Sequence, residues 1–545
     1  MSCNILFLSL ITIWLSAGSM HMKEKIDLIV TDGTIYTVDA NNSKVGSMAV
    51  HHGKIMAVGT SESISARYQA TRVVDMKGKF IYPGFVDAHC HFVGYALGLQ
   101  YVDLFGCQSF DEILERLKKA EPQSSGWLVG RGWDQNLWPE KNFPDNHRLN
   151  LLFPDIPVML IRVDGHVVLT NQEALKRAGI GLTNDFNSIE VESKNGRLTG
   201  ILSETAADRM RETVPAPSGS ELIDLLKIAE KQCFTVGLTM VSDAGLDYQQ
   251  VRVIDSLQKA GALNMNVYAM LTPNAENLIK FVTKGPYQTD RLTVRSIKIY
   301  SDGSLGSRTA KLKQPYSDAP SGTGIIVIPP DSIRELCKMA YDHGFQVNTH
   351  CIGDSANKLI LDIYGTFLKG KNDLRWRIEH AQVVDPEDIH FFGDYSVIPS
   401  VQATHATSDM KWAGERLGPV RIHGAYAYKD LMKQNGWIAN GTDFPIENIS
   451  PLLTFYAAVA RQDVNGFPEG GYMMNNALSR EDALRSITIW AVKADFMEQS
   501  KGSLEAGKDA DFVVLDQDIM HIPIGKVPEV LVLQTFIGGE EIFTK

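Results

Sequence analysis

Eight short β-rich runs between residues 83 and 443, with helical patterns between several of them, constrain this 545-residue chain more than any other feature. They fall near 83–90, 238–243 ("LTMVSD"), 265–271 ("MNVYAML"), 295–302 ("RSIKIYSD"), 346–350 ("QVNTH"), 376–380 ("WRIEH"), 396–402 ("SVIPSVQ") and 437–443 ("WIANGTD"). Segments such as "SIRELCKMAYDHG" and "SANKLILDIYGTFLK" carry the intervening helical pattern. Eight strands with helical crossovers predict an α/β fold closed into a (β/α)8 TIM-type barrel. A doubly wound sheet is the competing arrangement, but no Gly-rich phosphate loop opens a helix. The interval from about 105 to 232 is too long for one crossover. It reads as a large insertion with its own helices and strands, among them "IPVMLIRVDGHVVLTN".

Both ends of the chain differ from this pattern. "IDLIVTDGTIYTVD", "SMAVHHGKIMAVG" and "RVVDMKGKFIYPG" are β-like runs broken by glycine turns, and "GSLEAGKDADFVVLD" and "VLVLQTFIGGEEIF" repeat the style at the C-terminus. Neither piece can bury a core alone. The expectation is one small β-sandwich composed of 24–82 and 500–545, with the barrel spanning 83–499. Residues 1–20 include "ILFLSLITIWLSAG", an apolar run short for a membrane span and ending in small residues. It reads as a signal peptide, although Met1 to Asn4 carry no Lys or Arg. Export to the periplasm or the exterior is therefore expected, with no stable membrane span after its removal. An uncleaved anchor, or a cytoplasmic protein started at Met20 or Met22, is the alternative.

The net charge of −11, with no basic block, argues against nucleic acid as a partner. Six scattered cysteines (3, 90, 107, 233, 337 and 351) form no disulfide framework and no CxxC zinc motif.

Polar residues recur at the ends of the predicted strands. Strand one ends in "DAHCH" with His89 and His91, strand four carries Lys298, strand five ends in His350, strand six in His380 and strand eight in Asp443. In a barrel the carboxyl ends of all strands meet at one mouth. Alternate strand residues share a face, so His89 and His91 are expected to point inward with Asp87 behind them, while Val86, Ala88 and Cys90 face the helices. Two imidazoles on one face make half of a zinc-type site, and two more histidines and an aspartate complete it. In "SIKIY" Lys298 shares the inward face with Tyr300. Burial lowers a lysine pKa and favours the neutral amine, which can take up carbon dioxide as a carbamate able to bridge two metal ions. A salt bridge from Lys298 to Asp302 or Asp443 is the simpler alternative.

HxH on strand one, Lys on strand four, His on strands five and six and Asp on strand eight resemble the pattern of the amidohydrolase superfamily. The runs "PGFVDAHCH", "GRGWDQNLWPEKNFP", "RVDGHVVLTNQEAL", "IKIYSDGSLGSRTA", "THCIGD", "RIEHAQ" and "NGTDFP" narrow the resemblance to its amidohydrolase-3 group, the YtcJ-like proteins and N-substituted formamide deformylases. The chain has Asn150 where that group has an aspartate. The resemblance implies a metal-dependent hydrolase barrel cleaving a carbon–nitrogen bond of a small-molecule amide. His89, His91 and Asp443 would hold one divalent ion, zinc by default, His350 and His380 a second, with carbamylated Lys298 between them; one ion or two stays open. Metal coordination brings the pKa of water from 15.7 toward about 7, and Asp443 would carry the proton to the leaving amine. Substrate contacts are expected from Asp164 and His166 in "DGH", Trp133 (with Trp127 and Trp138) in the insertion, Arg308 in "GSLGSRTA", and His405 in "QATH", which could help hold the oxyanion. A homodimer is compatible with this reading. Two rivals remain: a mononuclear deaminase on the same barrel, which "HCIGD" fits poorly, and a non-catalytic metal-binding scaffold, which the complete ligand set disfavours.

Overall fold

A computed structural model describes residues 22–183 and 185–545; the expected signal segment lies outside them. The barrel strands are β1 (Phe85–Cys90), β2 (Leu238–Leu246), β3 (Asn266–Leu271), β4 (Leu292–Tyr300), β5 (Gln346–Cys351), β6 (Arg377–His380), β7 (Ile398–Val401) and β8 (Ala439–Asn440). Each pairs in parallel with the next, from β1 through to β8. The segment after β8 closes the seam. Asp443 N donates to His89 O at 2.8 Å, and His91 N donates to Phe444 O at 2.8 Å. Thr442 N and Oγ1 donate to the Asp87 carboxylate. Gly441 is required there, because a Cβ would stand 2.5 Å from both Asp87 Oδ1 and His89 N.

The alternation read in β4 holds. Ile297 and Ile299 pack with the helix residues Ile333, Ile360 and Ile363, while Lys298 reaches across to His89. In β1 the expected alternation fails. Cys90 joins the helix-side core, but Val86 and Ala88 pack with Met240, Tyr268, Met270 and Ile398 in a separate cluster. The cause is a bulge. Asp87 to Cys90 on β1 lies opposite Val241 to Asp243 on β2, so one additional residue enters β1. Such a bulge re-aims the side chains after it, and here it redirects the stretch that carries His89.

Two further sheets come from both chain ends. Lys54–Gly59, Ser47–His51, Glu24–Thr31 and Tyr68–Asp75 form one; Glu540–Thr544, Val532–Ile537, Phe512–Leu515, Phe80–Pro83, Thr34–Tyr36 and Lys44–Val45 form the other. They share a core that includes Leu28, Val30, Met48, Phe512, Val514 and Phe536. Between β1 and β2 lies a six-stranded sheet with the order Val191–Lys194, Arg197–Ser203, Val167–Thr170, Val158–Arg162, Leu128–Trp133, Val102–Asp103. The helix Gly219–Thr235, started by a Ser218/Glu221 capping box, buries Leu226, Cys233 and Phe234 in the barrel's own core. No helix among the described residues is long and apolar enough to cross a membrane.

Candidate active site

The mouth of the barrel brings His89, His91, Lys298, His350, His380 and Asp443 together. The imidazole rings run in sequence, with centroid separations of 5.6 Å for His91–His89, 4.9 Å for His89–His380 and 4.6 Å for His380–His350. Asp443 Oδ1 lies 3.2 Å from His91 Nε2 and 3.6 Å from His89 Nε2. Two turns aim these groups inward. His380 (φ 73) and Asp443 (φ 62) both occupy the left-handed region, a conformation costing about 1–3 kcal/mol that collects at active sites.

Each imidazole has one nitrogen held from outside the cluster. His89 Nδ1 is 2.6 Å from Glu379 Oε2, His91 Nδ1 2.9 Å from Ala244 O, His380 Nδ1 2.6 Å from Gln402 Oε1 and His350 Nε2 3.2 Å from Gly303 O. These acceptors fix the N–H, which leaves the lone pair on the other nitrogen. Burial pushes His89 down to about 4, aided by the Lys298 charge, and holds His350 and His380 well below the usual imidazole range. Neutral imidazoles with fixed tautomers are metal ligands.

Lys298 is buried, with Nζ 3.1 Å from His89 Nε2. It forms no ion pair among the described residues, so the alternative salt bridge to Asp302 or Asp443 is absent. Burial pushes its ammonium down to about 8. Asp302 instead accepts the backbone amides of Ile352, Gly353 and Lys311. The donor set fits a divalent cation. Ligand atoms of His89, His380 and Asp443 all lie within 4.8 Å of one another, and Asp443 Oδ1 is buried without a hydrogen-bond donor.

A cavity of about 830 Å³ opens above this cluster, lined by His91, Lys298, His350, His380 and Asp443 among others. Three of the five expected substrate residues line it. Asp164 pairs with Arg162 at 2.5 Å and accepts from Ser304 Oγ at 2.6 Å. His166 sits 5.0 Å from His350, ring to ring, and 2.9 Å from Glu204. Burial opposes its protonation, but Glu204 outweighs burial and lifts His166 to about 9. His405 stacks over His380 at 5.8 Å, with Nε2 3.6 Å from Asp443 Oδ2.

Trp133 and Arg308 are placed elsewhere. Trp133 is buried in the insertion's core against Trp138 and Phe143, its indole N–H donating to Leu160 O. A bulge turns it away: Arg131 pairs with Ile161 but Trp133 with Arg162, leaving Gly132 (φ 109) between them. Trp127 and Trp138 are core residues too. Arg308 pairs outward with Asp318 at 2.8 Å, and the indole lining the cavity belongs to Trp412. Asn150 caps locally, its Oδ1 accepting from Gln172 N at 2.6 Å. Sequence reading missed Glu379, Gln402, Arg131 and Glu204. Only Glu379 left a signal, an acid at an inward position of "RIEH".

A parallel barrel that gathers four imidazoles, a buried lysine and an aspartate at its mouth is built as a metal-dependent hydrolase. Residues 72–543 match the Amidohydro_3 model of the amidohydrolase family. The chain is 32% identical over 528 residues to the putative amidohydrolase YtcJ of Bacillus subtilis, covering 94% of this chain and 98% of that one. It is 25% identical over 543 residues to the N-substituted formamide deformylase of Arthrobacter pascens, covering 95% and 98%. An uncharacterized metal-dependent hydrolase from Pyrococcus horikoshii superposes with a TM-score of 0.76 at 32% identity, covering 91% of this chain and 99% of that one. The protein belongs to the amidohydrolase family. It is a hydrolase of carbon–nitrogen bonds, and its family implies a divalent metal.

Proposed function

We propose that the protein hydrolyses a non-peptide amide bond of a small molecule, with Asp443 as the proton shuttle. The observation that carries this reading is the position of Asp443. It touches His91 and His89 through one oxygen and faces His405 with the other. His89, His91 and Asp443, with His350 and His380, would hold one or two zinc ions; imidazole and carboxylate donors suit zinc. Carbamylated Lys298 would join the two halves, and a lysine that is buried, in no direct ion pair and pushed down to about 8 supports that modification. A bound divalent metal supplies Lewis acidity and lowers the pKa of water.

The chain's own groups do the rest. Asp443 takes the proton of the attacking water and delivers it to the leaving amine nitrogen. His405 Nε2 is buried without a partner and faces the same space, where it would hold the carbonyl oxygen as negative charge develops. Glu379 and Gln402 keep the imidazoles oriented. The relative that acts on N-substituted formamides makes formyl amides the first class to test.

The test screens zinc-loaded protein against N-formyl amines, N-acyl amino acids and cyclic amides. Amine release from at least one class, lost in Asp443→Asn, is expected. No release from any class, or less than one ion per two chains after growth with added zinc, overturns the reading.

A further inference from the structure

The strand that carries Trp133 keeps its register as far as Arg131, which lines the cavity, and the bulge after Arg131 buries Trp133 on the other face. Arg131 lies on the strand Leu128–Trp133, whose Leu128 and Val129 pack on opposite faces of the insertion sheet. Gly132 takes φ 109, and a Cβ on it would stand 2.4 Å from the Phe105 ring. Glycine permits this bend, which takes Trp133 off the face that carries the Arg131 guanidinium.

The other two arginines that line the cavity, and His166, have carboxylate partners. Arg162 is shared by Asp134 and Asp164. Arg211 pairs with Asp208 at 2.6 Å and donates to Gly165 O. His166 pairs with Glu204. Among these arginines Arg131 is the exception: its Nε is buried with no hydrogen-bond partner, and no carboxylate pairs with it among the described residues. Its Nη2 lies beside Gly165, 3.7 Å from where a Cβ there would stand, so it shares that glycine with Arg211. Burial, and then the like charge of Arg211, lower Arg131 to about 10, which still leaves it charged at neutral pH. A desolvated cation without a counter-ion is costly unless the ligand provides one.

We infer that Arg131 is a specificity residue that docks a carboxylate of the substrate, making this an enzyme for amides that carry a carboxylate beside the scissile bond. The planar guanidinium fork matches a carboxylate bidentately. Phe105, Tyr95 and Trp412 line the same cavity and offer apolar surface to the remainder of such a substrate. The inference rests on the amide-hydrolase reading for its substrate class, but the anion site itself can be read by binding alone.

The test uses matched pairs that differ only in the carboxylate: N-formyl- and N-acetyl-leucine of either hand against the same amides of 3-methylbutylamine, and the phenylalanine derivatives against those of 2-phenylethylamine. Both kcat/KM and calorimetric binding are measured. Wild-type protein is expected to favour the carboxylate member by at least about a hundredfold. Arg131→Gln should collapse that ratio to within about threefold of unity, chiefly through KM, and Arg131→Lys should retain part of it. Carboxylate-dependent binding lost in Arg131→Gln, without turnover of any pair, would uphold the docking site while overturning the amide reading. A wild-type protein with no carboxylate preference in either readout, or an Arg131→Gln variant that keeps the preference, overturns the inference.

Discussion

His89 Nδ1 and Glu379 Oε2 lie 2.6 Å apart in the barrel interior, both side chains without solvent exposure, one on β1 and the other on β6. Burial alone would raise the Glu379 carboxyl, but the contact with His89 and the charges of Arg377 and Lys298 hold it below the usual carboxylate range. An ionised Glu379 therefore accepts a hydrogen bond from Nδ1–H of a neutral His89 and points Nε2 at Asp443 and Lys298.

Glu379→Gln keeps the shape but weakens this orientation. Metal affinity should fall about 10- to 100-fold, measured by competition with a chromogenic chelator. Unchanged affinity would remove Glu379 from the support of the site.

Asp443→Asn retains an oxygen but cannot accept the proton. The expected loss in kcat is about 10²–10⁴-fold, with KM little changed and the fold intact by circular dichroism. A variant keeping more than a tenth of wild-type kcat with unchanged metal content would redirect the shuttle role to His405.

Lys298→Ala should abolish activity, and acetate or propionate should restore part of it by filling the space of the carbamate. Retention of full activity in the alanine variant would rule the carbamate out. Mass spectrometry of native protein, with and without bicarbonate, provides a second reading.

Gly441→Ala places a methyl against Asp87 and the His89 backbone at 2.5 Å, where backbone cannot give way. Overpacking of this kind costs about 1–3 kcal/mol, read as a lower urea midpoint. Because the clash falls on the residue that carries an imidazole of the site, metal content should fall with it. A variant as stable as wild type would show that the seam is looser than these contacts imply.

In the C-terminal segment Lys501 joins two carboxylates, with Nζ 2.6 Å from Asp509 Oδ2 and 2.8 Å from Asp511 Oδ2. Lys501→Met leaves Asp511 without an ion pair and Asp509 with Lys54 alone, and should cost about 3 kcal/mol at neutral pH. Burial by itself would raise Asp509, but Lys501 lowers it below 3.8. Its stabilisation is complete above pH 3.8 and lost as pH falls below that value. The stability gap between wild type and variant, measured by urea titration, should therefore shrink toward pH 3. A gap independent of pH would contradict the pairing.

The sequence by itself determined the barrel and its six converging polar residues, because strand periodicity is local and strand ends in a parallel barrel meet by topology. It also exposed Lys298 as an inward lysine, since Ile297 and Ile299 claim the other face. What it did not contain was the effect of single inserted residues. The bulge after Asp87 in β1 breaks the alternation that would link His89 to Val86 and Ala88, and the bulge at Gly132 takes Trp133 off the face that Arg131 presents to the cavity. A period-2 reading assumes an unbroken pairing register, and register is set by the neighbouring strand. Glu379, Gln402 and Glu204 became visible only in the folded chain for a related reason. Each acts on a histidine 22 to 290 residues away, and only the closing of the barrel and the docking of its insertion decide which imidazole each carboxylate or amide will hold.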